Sequence, residues 1–239
     1  MDLGVAGRVA LVTAASKGLG RASAVALAQE GAKVVICARG AEALDSARAE
    51  LEGYTEVVAI SADVTNPTVP ADLIRAAVDQ FGRLDILVAN AGGPPAARSL
   101  DVDDAQLEAA LNANLLTSVR LVREAVPHMR AGGWGRICLL TSSSIKQPIP
   151  TLALSNTART ALWAWAKTAA TDLFDDGITM NLICPGSHAT DRMKDIKLSG
   201  PIGDPAAFGQ VVAFLCSEPA NFISGSTVLV DGGRAVGLV

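Results

Sequence analysis

Short runs rich in β-branched and aliphatic residues alternate along the whole chain with longer stretches of helical period. That alternation restricts the fold more than any other feature of the sequence. A strand followed by a helix and another strand of the same direction makes a crossover unit, and repeated units give a parallel sheet with helices on both faces. The strand candidates are residues 8–13, 33–37, 56–60, 84–90, 135–141, 178–183 and 227–230. Helical stretches lie at about 18–30, 41–52, 68–82, 101–131, 154–175 and 206–216, with a kink or break expected at Pro127. The expected fold is α/β: a Rossmann-like, doubly wound parallel sheet of about seven strands in three layers. The length of 239 residues suits a single domain over residues 1–239, and no repeat, charged tail or Gly/Ser linker divides it.

Composition narrows the function classes. Half of the residues are hydrophobic and 18% are charged, so the chain must bury a core rather than remain disordered. Twenty basic and 24 acidic residues leave a formal charge of −4, with no basic stripe to track a nucleic-acid backbone. No apolar run is long enough to span a membrane, and residues 1–4 lack the flanks of a secretory signal, so a cytoplasmic location is expected. Cys37, Cys138, Cys184 and Cys216 stand far apart in apolar runs, read as buried free thiols, and no metal site is expected.

In a doubly wound sheet ligands collect beyond the carboxyl ends of the strands, where strand order reverses. The first strand runs into Thr13-Ala14-Ala15-Ser16-Lys17-Gly18-Leu19-Gly20 and a helix. Gly18 and Gly20 permit a tight turn in which backbone N–H groups and the positive helix end face a pyrophosphate.

The stretch resembles the TGxxxGxG fingerprint of the short-chain dehydrogenase/reductase family, with Ala14 in place of its first glycine. Other marks of that family follow in order: Asp63-Val64, Asn90-Ala91-Gly92, Asn114, Ser142, Pro185-Gly186 with Thr190, and Val230-Asp231-Gly232-Gly233. The resemblance covers essentially the whole chain. It implies that Asp63 and Val64 meet the adenine and that Asn90, Ala91 and Gly92 line the ribose side. Pro185, Gly186, His188 and Thr190 then border the nicotinamide.

The choice of dinucleotide is read at the end of the second strand, where an NAD-selective site presents an acid to the ribose hydroxyls. Arg39 stands there. A guanidinium forks onto a phosphate, so Arg39, with Lys17 beside it, favours NADP(H) over NAD(H). Solvated surface charge is the alternative for both.

The family reduces a carbonyl or oxidises an alcohol by hydride transfer. A tyrosine exchanges the proton, a lysine four residues later holds the nicotinamide ribose, and a serine and an asparagine assist. Ser142 and Asn114 match the last two. The tyrosine position, thirteen residues after Ser142, is Ser155, and the lysine position is Arg159. The chain's one tyrosine, Tyr54, precedes the third strand, on the far side of the sheet from the nicotinamide. The exchange resembles a divergent branch related to 3-oxoacyl-carrier-protein reductases. An aliphatic hydroxyl is a far weaker acid than a tyrosine of pKa about 10, and arginine holds its proton at any working pH. Three proton donors remain open: Lys146, His188, or a water held by Ser142, Ser155 and Asn114. Lys146 as a surface charge and His188 as a packed loop residue are the plain alternatives.

The resemblance therefore implies an NADP(H)-dependent reductase of a small-molecule or carrier-tethered ketone such as a 3-oxoacyl thioester. The alternatives are a non-catalytic NADP(H)-binding protein of the same fold and, further off, halide or epoxide chemistry. Residues 191–202 leave little room for the helical lid usual in the family, so an open cleft is expected unless part of the lid is missing from the sequence. The long fourth helix and the outward Leu162, Trp163 and Trp165 suggest pairing of copies, and the family's dimers and tetramers imply a homodimer or homotetramer.

Overall fold

A computed structural model describes residues 1–191 and 200–237. Seven parallel strands form one sheet: β1 (Val9–Thr13), β2 (Lys33–Ala38), β3 (Val57–Ser61), β4 (Ile86–Ala89), β5 (Gly135–Leu140), β6 (Ile178–Pro185) and β7 (Thr227–Val230). Their order is β3-β2-β1-β4-β5-β6-β7, so the direction of winding reverses between β1 and β4. In register, Leu11 of β1 lies between Val35 of β2 and Leu87 of β4. β1 and β5 are buried along their entire length, the consequence of covering both faces of a parallel sheet.

Helices α1 (Gly18–Gln29), α2 (Ala41–Leu51) and α7 (Pro205–Leu215) cover one face. There Leu27, Leu44 and Phe208 pack with Val12, Ile36 and Ile183. Helices α3 (Val69–Phe81), α5 (Thr117–Gly132) and α6 (Ala153–Leu173) cover the other, where Leu73 and Leu121 meet Leu11, Val35 and Leu182; Leu162, expected to face outward, is 1% exposed and belongs to this core, because its turn of α6 lies against the sheet. The seven strands and the three-layer architecture expected from the sequence are present, with ends shifted by one or two residues.

Stretch 101–131 departs from expectation in an informative way. A short helix, α4 (Asp104–Leu111), opens on a capping box in which Asp103 and Gln106 satisfy each other's backbone N–H. It passes through one π-helical turn, Asn112–Leu116, into α5. Pro127 breaks nothing. It sits inside α5 on the exposed side, so the carbonyl it leaves unpaired faces water while Leu121, Val122, Ala125 and Met129 hold the buried side. The irregularity falls instead at Asn112, whose carbonyl accepts the Thr117 hydroxyl at 2.9 Å, and it displaces the helix beside Asn114. The shortened lid segment, 191–202, and with it the expectation of an open cleft, falls largely on residues 192–199, outside the described residues.

Candidate functional site

The carboxyl ends of β1 and β4 are tied together at the reversal point. The Thr13 hydroxyl donates to Asn90 O at 2.7 Å and accepts from Asn90 N at 2.9 Å. The turn after β1 is built as tightly as its glycines suggest. A Cβ on Gly20 would lie 2.3 Å from Ala14 O and 2.8 Å from Asn90 Nδ2, so only glycine fits. Ala14 takes the left-handed conformation with φ 48°, the one non-glycine at positive φ among the described residues. An alanine there costs about 1 kcal/mol. Ala15 N donates to Cys37 O at 3.0 Å, anchoring the turn to β2, and Leu19 packs partly on the α1 side of the core.

A cleft of about 610 Å³ opens beside this turn, lined by Ser16, Lys17, Arg39, Asp63, Val64 and Asn114 among others, Ala91 and Gly92 included. Eight of the residues singled out from sequence thus meet in one concavity. Lys17 and Arg39 are exposed, and neither is ion-paired to a carboxylate within 4.0 Å among the described residues. Asp63 Oδ1 accepts from Thr65 N at 3.0 Å and from the Thr65 hydroxyl at 2.8 Å. Those two bonds hold its carboxyl below the usual carboxylate range, with the nearby Arg39 guanidinium adding to the effect. The segment carrying Asp63 is fixed from the π turn, where Asn112 Nδ2 donates to Thr65 O at 3.0 Å and the Thr117 hydroxyl to Val64 O at 3.3 Å.

The far wall of the cleft was not read from the sequence: Pro94, Pro95, Gln106, Ala109 and Leu154 line it. The one available signal was the Gly92-Gly93-Pro94-Pro95 run, which cannot continue a strand. Gly18 also meets the loop after β6, where an added Cβ would lie 3.5 Å from Thr190 Cγ2.

Ser142, Ser155 and Arg159 stand beyond the carboxyl end of β5. Ser142 Oγ accepts from Ser144 N at 3.1 Å and opens the β5–α6 loop. Ser155 and Arg159 occupy successive turns of α6, both 7% exposed. Arg159 Nη1 donates to Leu140 O at 2.8 Å, so part of the guanidinium is engaged by the strand itself. Asn114 is 2% exposed and its Oδ1 has no partner. Two further residues have packing partners of their own. Lys146 Nζ sits 3.8 Å from the centroid of the Trp163 ring, two turns along α6 from Ser155. His188 is 4% exposed, stacked edge-on against Phe208 at 5.1 Å, with Nδ1 3.2 Å from Gly186 O. That is the environment of a packed loop residue.

All four cysteines are buried free thiols. Burial pushes the Cys37 thiol up to about 11 and raises Cys184 as well, the latter opposed by the Thr141 hydroxyl at 3.0 Å. Among the described residues no helix is long and apolar enough to cross a membrane, and no cluster of His, Cys, Asp and Glu is placed to hold a metal ion.

Comparison with known proteins decides the family. Residues 13–235 match the family described as Enoyl-(Acyl carrier protein) reductase. Dehydrogenase/reductase SDR family member 4 from Bos taurus is 35% identical over 243 residues, covering 95% of this chain and 86% of that protein. The chain belongs to the short-chain dehydrogenase/reductase family. Within that family it is also similar to the 3-oxoacyl-[acyl-carrier-protein] reductase of Synechocystis sp., at 35% identity over 96% of this chain and 97% of the relative. Among solved structures, L-sorbose reductase from Gluconobacter frateurii in complex with NADPH and L-sorbose superposes with a TM-score of 0.94. It is 32% identical, with both chains fully covered.

Proposed function

We propose that this short-chain dehydrogenase/reductase is an NADP(H)-dependent reductase acting as one dinucleotide-binding domain on a ketone such as a 3-oxoacyl thioester. The observation that carries the reading is the pair of cations, Lys17 and Arg39, lining the cleft beside the glycine turn, neither within 4.0 Å of a carboxylate oxygen among the described residues. Two positive side chains left open at that corner suit a 2′-phosphate better than a bare ribose diol. The group fits the residues present: the cradle at Gly20 admits no side chain, and the cleft is large enough for the adenosine half. The bound L-sorbose reductase and the 3-oxoacyl relative support the same class of chemistry.

When bound, the coenzyme supplies a hydride. Ser142 and Ser155 orient the substrate oxygen, and Asn114 Oδ1, buried and without a partner, holds the water that delivers the proton. Arg159 contributes positive potential beside the reacting oxygen while bonded to Leu140 O. Pro185, Gly186 and Thr190 would hold the nicotinamide, while His188 packs against Phe208 with Nδ1 3.2 Å from Gly186 O. Lys146, held over Trp163, is the second route for the proton. Pairing of copies through α5 and α6 belongs to this reading, with Trp163 and Trp165 partly packed on the core they share.

NADPH consumption against a panel of 3-oxoacyl thioesters and small diketones tests it. Turnover that survives Lys146→Ala but falls at least tenfold in Ser155→Ala and Asn114→Ala supports the water route; the reverse pattern supports the lysine. A specific feature favours a second reading, a coenzyme-binding protein without turnover: no phenol stands at residue 155, and Arg159 is already engaged by the strand. NADPH binding with no oxidation of it by any substrate in the panel is the result that reading expects.

A further inference from the structure

Beyond β7 the chain turns back across the sheet ends. Gly186 N donates to Val230 O at 2.9 Å, and a Cβ on Gly186 would lie 2.8 Å from Asp231, so the loop after β6 and the segment after β7 are in direct contact. Asp231 then shapes a hook. Its Oδ1 accepts from Gly233 N at 2.9 Å and its Oδ2 from Ala235 N at 2.8 Å. From the hook two bonds reach outward: Arg234 Nη1 to the Ser187 hydroxyl at 2.9 Å, and Val236 N to Gln147 Oε1 at 3.0 Å. Ser187 lies in the loop after β6 and Gln147 in the loop after β5, the two loops that flank Ser142 and Ser155.

We infer that residues 231–236 are a strap setting the width of the substrate entrance, with Gln147 and Arg234 as its positioning residues, and that the entrance takes carbonyl compounds with an apolar body. β5, β6 and β7 are neighbours in the sheet, so a segment leaving the edge strand and bonding to the loops of the next two spans the mouth from one side. Among the described residues, the other hydrogen bonds between those loops lie at their strand ends, where Thr141 bonds to Ile183 O. Exposed apolar residues flank the strap: Ile149 at 39%, two positions from Gln147; Val236 itself at 79%; and Ile202 at 52%, next to Pro201, which an added Cβ on Gly232 would meet at 2.9 Å. Gly200, two positions before Ile202, faces the Arg234 guanidinium, where an added Cβ would lie 3.1 Å from Nη2. An aliphatic chain entering between these loops covers that surface, whereas a small polar ketone leaves it wet.

The kinetic half of this inference rests on the proposed reductase activity, so the test includes a readout that does not. Gln147→Ala removes the acceptor for Val236 N, and Gln147→Glu retains one. Amide hydrogen exchange on the full chain without coenzyme is expected to speed up about tenfold at Val236 and across 147–152 in Gln147→Ala, and to return towards wild type in Gln147→Glu. With NADPH and a medium-chain 3-oxoacyl thioester, Gln147→Ala and Arg234→Ala are expected to raise KM about fivefold to tenfold with kcat within twofold, and to change a small diketone by less than twofold. Unchanged exchange in both variants overturns the strap, whether or not the wild type turns over. Altered exchange with equal KM changes for long and small substrates overturns the apolar entrance. Wild-type chain without turnover but with altered exchange in Gln147→Ala upholds the strap and contradicts the proposed activity.

Discussion

The two ends of the sheet are built on opposite principles. At the amino ends of the strands the two buried charges, Asp85 and Arg136, are both met. Asp85, 2% exposed, accepts from Val9 N at 2.9 Å, from Arg83 at 2.5 and 2.7 Å, and from Arg8 at 3.4 Å. Arg136, also 2% exposed, is bonded to Ser217 O, Gly135 O and Glu218, and the Arg8 and Arg136 guanidiniums both lie against the Trp134 ring, at 3.9 and 4.2 Å from its centroid. At the carboxyl ends the accounts are left open. Lys17 and Arg39 face a cleft without carboxylates bonded to them, Asn114 Oδ1 and Ser144 Oγ are buried without partners, and Ala14 holds a strained backbone. Unsatisfied groups cost stability: among the described residues Thr179 Oγ1 and Ser217 Oγ are buried without partners near the closed end as well, so what sets the open end apart is its exposed cations and strained turn, while the closed end pairs its buried charges.

Substitutions break the comparison in order of size. Asp85→Ala leaves a buried backbone N–H and two guanidiniums without their acceptor. It is expected to lower unfolding free energy by about 3 to 5 kcal/mol in urea titration, with NADPH affinity of the folded fraction unchanged. A loss below about 1 kcal/mol means that the closed end does not carry the fold.

The second test is a pH titration of stability at the open end. The Cys37 thiol is raised from 9.0 to about 11, so the folded chain retains a proton that the unfolded chain releases. Its contribution is intact below pH 9 and is lost as pH rises from 9 through 11, by roughly 3 kcal/mol in all. Cys37→Ala is expected to remove that part of the alkaline slope; an identical slope in the variant contradicts the assignment.

Arg39→Ala is expected to weaken NADPH binding by about 1 to 3 kcal/mol while shifting stability by less than about 0.5 kcal/mol, the mirror image of Asp85→Ala. Smallest is Ala14→Gly. It relieves the φ of 48° but adds freedom to the unfolded chain, for a net gain of roughly 0.5 kcal/mol. A loss of stability there means that the strain is absent.

The same contrast governs how much could be read from the sequence. Strands announce themselves because a parallel sheet buried on both faces demands continuous aliphatic runs, as in Val9–Thr13 and Gly135–Leu140. The turn around Gly18 and Gly20 was legible because a close backbone approach admits one residue type. At Pro127 local rules allowed a break that α5 does not make, since they do not say which side of a helix faces water, and they gave no hint of the π turn at Asn112. Long side chains were the least legible. Nothing in the positions of Arg159 and Lys146 indicates that one turns inward to Leu140 O and the other lies over Trp163, because those destinations depend on elements brought together only by folding. For the same reason the Arg8–Trp134–Arg136 cluster went unread.

The central claim is that the open cations at the carboxyl end select a phosphorylated dinucleotide. Isothermal titration of the wild-type chain with NADPH and with NADH, repeated on the Lys17→Ala/Arg39→Ala double variant, tests it most directly. The account predicts that the wild type binds NADPH at least about tenfold more tightly than NADH, and that the double variant loses this preference with its NADH affinity kept. Equal affinities in the wild type, or a preference that survives removal of both cations, contradict it.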